Sequence, residues 1–176
     1  LTLFSPDCYV SLGALAQMNP PIRNKRHQNG LWKGIKNGTV NVIGSDHAPH
    51  TLKEKENLWP TSPSGMPGVQ TLLPIMLNHV NNGKLDLKKL IELTSINAAK
   101  IYKIKNKGNI KIGYDADITI VDLNKKVILK NKNIASKCQW TPFNNMRVKG
   151  FPFATIVNGS IKMLNGKIIG EPNGKV

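Results

Sequence analysis

The sequence predicts an α/β fold over residues 1–106, followed by a small β domain over residues 107–176. Three observations support this prediction. Helical and strand patterns alternate in the first part, the spacing of apolar residues changes from helical to alternating after Gly108, and Asn-Gly dipeptides separate short apolar runs near the end. The length of 176 residues is enough to bury a core, and it favours one domain of ordinary size or one domain with a small appendage.

A helix and a buried strand are the first elements that the pattern predicts. Leu31 and Ile35 are four residues apart within residues 26–37, and an Asn-Gly pair then ends the helix. The β-branched run at residues 39–43 is typical of a buried parallel strand. Asp46 then follows directly after the end of that strand.

A long loop and two helices come next. Residues 51–68 are polar and rich in Pro and Gly, which predicts an ordered loop over the strand end. Apolar residues recur at helical spacing from Val69 to Val80. A second helix is predicted to begin after an N-cap at Asp86 and to extend to Tyr102.

The remaining elements are predicted to be strands. Ile110 and Ile112 alternate with polar residues, and a second run begins at Ile118. The last three strands are predicted within residues 155–169, joined by two Asn-Gly hairpin turns.

Composition narrows the class of protein. No stretch approaches the ~18 apolar residues of a membrane helix, so we expect a soluble protein without a membrane partner. The net charge of +15 is spread along the chain without a dense basic block or a nucleic-acid motif, so we expect no nucleic-acid partner. Cys8 and Cys138 lack metal-ligand spacing and follow no secretory signal, so we expect two packing residues and a cytoplasmic location.

The string from Gly44 to His50, GSDHAPH, concentrates an acid and two imidazoles in a chain with four histidines. An aspartate just past a parallel strand lies where α/β proteins place reactive groups, and it suits a metal ligand or a general base. The alternative is a turn-forming Asp46 beside ordinary loop histidines. The other histidines, His27 and His79, fall on predicted helices, where we expect exposed side chains. Spacing alone does not decide between these interpretations.

Five segments, taken in order, resemble the C-terminal part of bacterial dihydroorotases of the amidohydrolase superfamily. They are NPPIR at 19–23, GSDHAPHTLKEK at 44–55, PSGMPGVQT at 63–71, GYDADITIVD at 113–122 and WTPF at 140–143. The resemblance implies the C-terminal part of a distorted (β/α)₈ TIM barrel over residues 1–106 and a portion of a β-sandwich domain over residues 107–176. It also implies a hydrolase that interconverts dihydroorotate and N-carbamoyl-aspartate in pyrimidine synthesis, with one or two Zn²⁺ ions.

The resemblance assigns roles to five residues. Asp46 matches the aspartate that binds zinc and carries the proton, so it is the expected metal ligand and catalytic residue. His50 matches the histidine that holds the substrate carboxylate, and Asn19 matches the asparagine that bonds the ring. Ser64 and Gly65 match the pair whose backbone touches the substrate.

The same resemblance implies that the other metal ligands of the family would precede Leu1. We therefore expect the chain alone to be inactive and prone to associate, and we expect that Leu1 is not a natural start. Three alternatives remain: an inactive subunit that supports an aspartate transcarbamoylase partner, another cyclic amidase of the hydantoinase or allantoinase type, and a basic nucleic-acid-binding protein. A homo-oligomer is also compatible with the sequence.

Overall fold

The computed structural model describes residues 2–174 as a mixed α/β chain of two compact units. Both units are discontinuous in sequence. Unit 1 contains residues 1–40, 44–72 and 128–147, and unit 2 contains residues 41–43, 73–127 and 148–176. The division into domains at residue 106 stays a prediction, and the expectation about Leu1 concerns a residue outside those described. Among residues 2–174, no helix is both long enough and apolar enough to cross a membrane.

Within the described residues, the helices are short, except for the second. They are α1 (Cys8–Leu12), a 3₁₀ turn (Gly13–Ala16), α2 (Lys25–Asn37), α3 (Leu52–Lys55), α4 (Leu72–Asn81), α5 (Leu87–Ile91), a π-helical turn (Glu92–Ile96) and α6 (Asn97–Ile101). A further 3₁₀ turn spans Asn131–Asn133.

Helix α2 confirms the first predicted helix, and Gly38 ends it in a left-handed conformation at φ 82°. Helix α4 confirms the helix predicted from Val69 to Val80. It begins at Leu72 rather than at Val69, which is exposed in the preceding loop. The last predicted helix is divided by the π-helical turn between α5 and α6. Its N-cap is confirmed, since the Asp86 carboxylate accepts a hydrogen bond from the Lys89 N–H at 2.7 Å.

Unit 1 is built around one apolar cluster. Its fully packed members are Cys8, Ala16, Ile22, Met66, Cys138 and Trp140. Both cysteines are buried and free, which confirms that they are packing residues. Burial raises the pKa of the Cys8 thiol, so this thiol is held in its unreactive form.

Most of the sheet lies in unit 2, where four strands follow one another in the order β1-β2-β3-β4. They are β1 (Ile118–Ile128), β2 (Arg147–Val157), β3 (Ser160–Leu164) and β4 (Lys167–Ile168). The predicted hairpin turns are confirmed, because both Asn158-Gly159 and Asn165-Gly166 have positive φ at each residue.

Asn81 connects helix α4 to the sheet of unit 2. Its side-chain amide donates to the carbonyl oxygens of Leu123 and Lys149, both at 3.0 Å. Gly150 lies so close to the helix that an added Cβ would be 2.7 Å from the Leu77 Cβ. A glycine is therefore needed at residue 150 for the strand and helix to approach this closely.

Two predicted strands are absent from the described residues. Residues 39–43 form no strand, and each of them is exposed or only partly buried. The Ile43 N–H donates to the Leu93 carbonyl of the π-helical turn rather than to a strand. Ile110 and Ile112 are 86% and 101% exposed and belong to a loop. Both predictions of a strand are therefore wrong for this structure, because a strand requires a neighbour with which to hydrogen-bond.

His79 also differs from the expectation of an exposed side chain. It is buried in α4 with 6% of its surface exposed. Desolvation lowers its pKa, and the charge of Lys84 lowers it further.

Candidate functional site

The segment that follows residue 43 runs beside a second loop segment in unit 1. His47 and Met66 form an isolated parallel bridge, and the Ala48 N–H donates to the Met66 carbonyl at 3.1 Å. The His47 Nδ1 accepts a hydrogen bond from the Gly68 N–H at 3.1 Å. These contacts hold residues 46–50, here called the DHAPH segment, against residues 65–68.

Asp46 occupies a special backbone position at the start of this segment. Its φ of 46° lies in the left-handed region, where aspartate is one of the few non-glycine residues found. Its side chain is exposed and takes part in no hydrogen bond or ion pair among residues 2–174. The carboxylate is therefore accessible to a ligand.

His50 is oriented through its backbone. Its N–H donates to the Ala48 carbonyl at 2.9 Å, and its own carbonyl accepts a hydrogen bond from the Trp140 indole N–H at 2.7 Å. Trp140 is 1% exposed. A rigid aromatic residue in the core therefore fixes the backbone that carries the His50 imidazole.

Gly65 packs directly against the DHAPH segment. A Cβ built on Gly65 would be 2.4 Å from the Ala48 Cβ and 3.7 Å from the His50 Nε2. The φ of Gly65 is +126°, which is also unfavourable for any side chain. The Gly65 backbone and the His50 ring are consequently neighbours.

Asn19 and Ser64 line one cavity of about 950 Å³ in unit 1. Trp59 and Leu58 lie at the same cavity and are 75% and 83% exposed. The structure therefore brings Asn19 and Ser64 to one cavity and Gly65 and His50 into contact. No hydrogen bond or ion pair among residues 2–174 joins Asp46 to these residues.

A buried lysine connects the segment that precedes Asn19 to the segment that carries Ser64 and Gly65. Lys55 is 2% exposed, and its Nζ donates to the carbonyl oxygens of Gln17, Pro63 and Gly65 at 3.2, 2.7 and 3.0 Å. Burial lowers the pKa of its ammonium group.

The sequence motifs predicted no role for Lys55 or Trp140. The available signal for Lys55 was the capping box formed by Thr51 and Glu54, which begins helix α3 inside the predicted loop. Hydrogen bonds from Thr51 also lower the pKa of the Glu54 carboxyl.

The described residues do not form a metal site by themselves. A protein zinc site uses at least three side-chain ligands. Residues 2–174 contain no group of three His, Cys, Asp or Glu side chains that could hold an ion. Asp46 is thus at most one ligand of a site that requires further groups.

The sequence of residues 10–162 matches the model of the amidohydrolase family. The chain belongs to the amidohydrolase family. Within it, the dihydroorotase of Pyrococcus furiosus is 42% identical over 92% of this chain and 37% of its own length. The dihydroorotase of Methanosphaera stadtmanae is 41% identical over 87% of this chain and 35% of its own length. The resemblance to dihydroorotases is therefore confirmed.

Solved structures extend the similarity to other members of the family. The L-hydantoinase (dihydropyrimidinase) of Arthrobacter aurescens has a TM-score of 0.91 and 31% identity, over 96% of this chain and 38% of that one. A dihydropyrimidinase of Brevibacillus agri has a TM-score of 0.84 and 28% identity, over 90% of this chain and 36% of that one. The chain thus spans less than two fifths of the length of these proteins.

Proposed function

We propose that this chain is part of a dihydroorotase, a zinc-dependent hydrolase that interconverts dihydroorotate and N-carbamoyl-aspartate. In this proposal, residues 1–106 are the C-terminal part of a distorted (β/α)₈ barrel, and residues 107–176 are a portion of a β-sandwich. The observation that carries the proposal is the gathering of predicted substrate residues in unit 1. Asn19 and Ser64 share a cavity, and Gly65 lies against His50.

The chemistry of the substrate fits these groups. Dihydroorotate combines a carboxylate with a cyclic amide, so it needs a cation or hydrogen-bond donor at one end and amide-complementary groups at the other. We assign the carboxylate to the His50 imidazole, because both backbone groups of His50 are already engaged. The amide side chain of Asn19 both donates and accepts, which suits the N–H and C=O groups of the ring. The Ser64 backbone supplies a further hydrogen bond, and the Gly65 carbonyl, which already accepts from Lys55, has a second lone pair for another.

Asp46 is the proposed proton carrier. Its exposed carboxylate accepts a proton from the attacking water and delivers it to the nitrogen released when the ring amide opens. Zinc enters the proposal as an ion to which Asp46 contributes one carboxylate oxygen, with its other ligands outside residues 2–174. When bound, such an ion makes water a nucleophile near neutral pH.

The test of this proposal is the substitution Asp46→Asn in the full-length gene product. Asparagine also tolerates a left-handed backbone, so the fold should be kept. We expect turnover of dihydroorotate to fall by about 10²-fold or more, because acid–base catalysis contributes factors of about 10² to 10⁴. Circular dichroism and the melting temperature serve as folding controls. Wild-type turnover in the folded variant would refute the role of Asp46.

Hydrolysis of hydantoin or dihydropyrimidine is the second candidate function. The TM-score of 0.91 to the L-hydantoinase favours it. Dihydroorotate carries a carboxylate that hydantoin and dihydrouracil lack, so the three compounds should be offered to the same full-length enzyme. A kcat/KM for dihydroorotate at least tenfold above the other two supports the dihydroorotase. The reverse order supports the second candidate.

Absence of turnover on all three compounds has a separate meaning. It would support a subunit without catalytic activity that assembles with a transcarbamoylase. Zinc content of the full-length product then distinguishes an intact metal site from a lost one.

A further inference from the structure

The Lys55 side chain lies where two backbone segments of unit 1 meet. Its three contacts are the carbonyl oxygens of Gln17, Pro63 and Gly65. An ammonium group has three N–H donors, so each donor has a partner. Hydrogen bonds from a charged donor are stronger than those between neutral groups, and burial keeps water from competing for them.

These segments carry the proposed substrate groups. Gln17 precedes Asn19 by two residues, and Pro63 and Gly65 flank Ser64. The Gln17 carbonyl also accepts a hydrogen bond from the Gly65 N–H at 2.8 Å. Lys55 and Gly65 therefore converge on the same carbonyl oxygen and close a small network between the two segments.

The Gln17 side chain adds a further hydrogen bond to this network. Its Nε2 donates to the Ser62 carbonyl at 2.7 Å. The segment before Asn19 is thus connected to residues 62–65 through the Gln17 side chain, the Gln17 backbone and the Lys55 ammonium.

We infer that Lys55 is a positioning residue for substrate binding, because its ammonium holds the backbone of residues 17–19 at a set distance from that of residues 63–65. Lys55 lies at the cavity that Asn19 and Ser64 line, but carbonyl oxygens take all three of its donors, so it acts through Asn19, Ser64 and Gly65. This inference rests on the proposed function, since that proposal assigns the substrate contacts to these residues.

The substitution Lys55→Met isolates the ammonium group. Methionine keeps an unbranched apolar side chain but removes all three donors, which leaves three carbonyl oxygens without their partner. We expect kcat/KM for dihydroorotate to fall by about 10- to 100-fold, mainly through a higher KM, since misplaced binding groups weaken binding without removing the reacting groups.

Lys53→Met is the matched control. Lys53 lies two residues away in the same helix, and its side chain is exposed. The control should keep kcat/KM within about twofold of wild type, because exposed substitutions seldom change the fold.

Hydrogen–deuterium exchange of the full-length protein gives a second measurement that does not depend on turnover. In Lys55→Met, exchange should become faster in peptides covering residues 17–19 and 62–66, and stay unchanged in helix α4 of unit 2. Unchanged exchange in residues 62–66 of the folded variant would overturn the inference, as would a lowered kcat with an unchanged KM. If the wild type does not hydrolyse dihydroorotate, the proposed function fails, while the exchange data still decide whether Lys55 orders these segments.

Should Lys55→Met fail to fold, the wild-type protein provides the test through competitive labelling of its lysines with acetic anhydride. A buried ammonium with three partners should react at least about tenfold more slowly than exposed Lys53. Saturating substrate should slow Lys55 further and leave Lys53 unchanged. Equal labelling rates, or no effect of substrate on Lys55, would overturn the inference.

Discussion

Substitution of Gly65 by alanine tests the close approach between the DHAPH segment and the loop that carries Ser64. Two costs can be worked out from the structure. The backbone at φ +126° disfavours any side chain, at about 1–3 kcal/mol. The new Cβ would lie 2.4 Å from the Ala48 Cβ, and overpacking of this kind costs about 1–3 kcal/mol. Together they predict a loss of about 2–6 kcal/mol in the free energy of unfolding.

A second variant separates these two costs. Combining Gly65→Ala with Ala48→Gly removes the steric conflict but keeps the unfavourable backbone. The double variant should therefore recover about 1–3 kcal/mol relative to the sum of the single variants. Gly113→Ala is the control for the backbone cost alone, because Gly113 has φ +86° and no atom within 4 Å of an added Cβ.

The assay is urea unfolding of the full-length variants, followed by tryptophan fluorescence. Activity on dihydroorotate should fall together with stability in Gly65→Ala, since the displaced loop carries proposed substrate contacts. If Gly65→Ala costs no more than Gly113→Ala, or if Ala48→Gly gives no recovery, the packing described for this loop is refuted.

Two further predictions concern Trp140 and His79. Trp140→Phe removes the donor to the His50 carbonyl and part of a buried ring, so the free energy of unfolding in urea should fall by about 2–4 kcal/mol. The KM for dihydroorotate should rise, and an unchanged KM would refute the link to His50. The His79 pKa lies below its ordinary value of 6.5, so the unfolded chain binds more protons and stability is lost as the pH falls below 6.5. His79→Gln should flatten this pH dependence of the melting temperature, and an identical slope in both proteins would contradict the assignment.

Patterns that depend on neighbouring residues in the sequence predicted the structure well. The helix ending at Gly38, the N-cap at Asp86 and the hairpin at Asn158 each follow from the conformational preference of one or two residues. Such local preferences act whatever the rest of the chain does. They could therefore be inferred from the sequence without a view of the fold.

The failures involve partners that are distant in sequence. Residues 39–43 and Ile112 have strand-like composition, but no strand pairs with them among residues 2–174. His79 was expected to be exposed, but it is buried. Its burial depends on packing against other parts of the chain, which helical spacing does not reveal. The same holds for Lys55, since its partner Gln17 is 38 residues away.

The candidate site was predicted only in part. The residues of the DHAPH segment and Asn19 were chosen from their resemblance to family motifs, and their roles stay predictions. What the sequence did not indicate is the framework behind them, namely the Trp140 indole on the His50 carbonyl and the Lys55 ammonium on three others. Hydrogen bonds to backbone carbonyls leave little trace in a sequence, because any residue supplies the acceptor.

The left-handed backbone at Asp46 restricts how this position can change during evolution. At φ 46°, glycine and asparagine fit with little strain, whereas β-branched residues do not. A saturation library at this codon should therefore separate into two groups, one that folds without activity and one that is lost from the soluble fraction. Unbranched side chains fall between these groups, since Lys103 and Gln139 of this chain also have φ 55°. Glutamate should therefore fold at a cost of about 1–2 kcal/mol, and its longer side chain displaces the carboxylate.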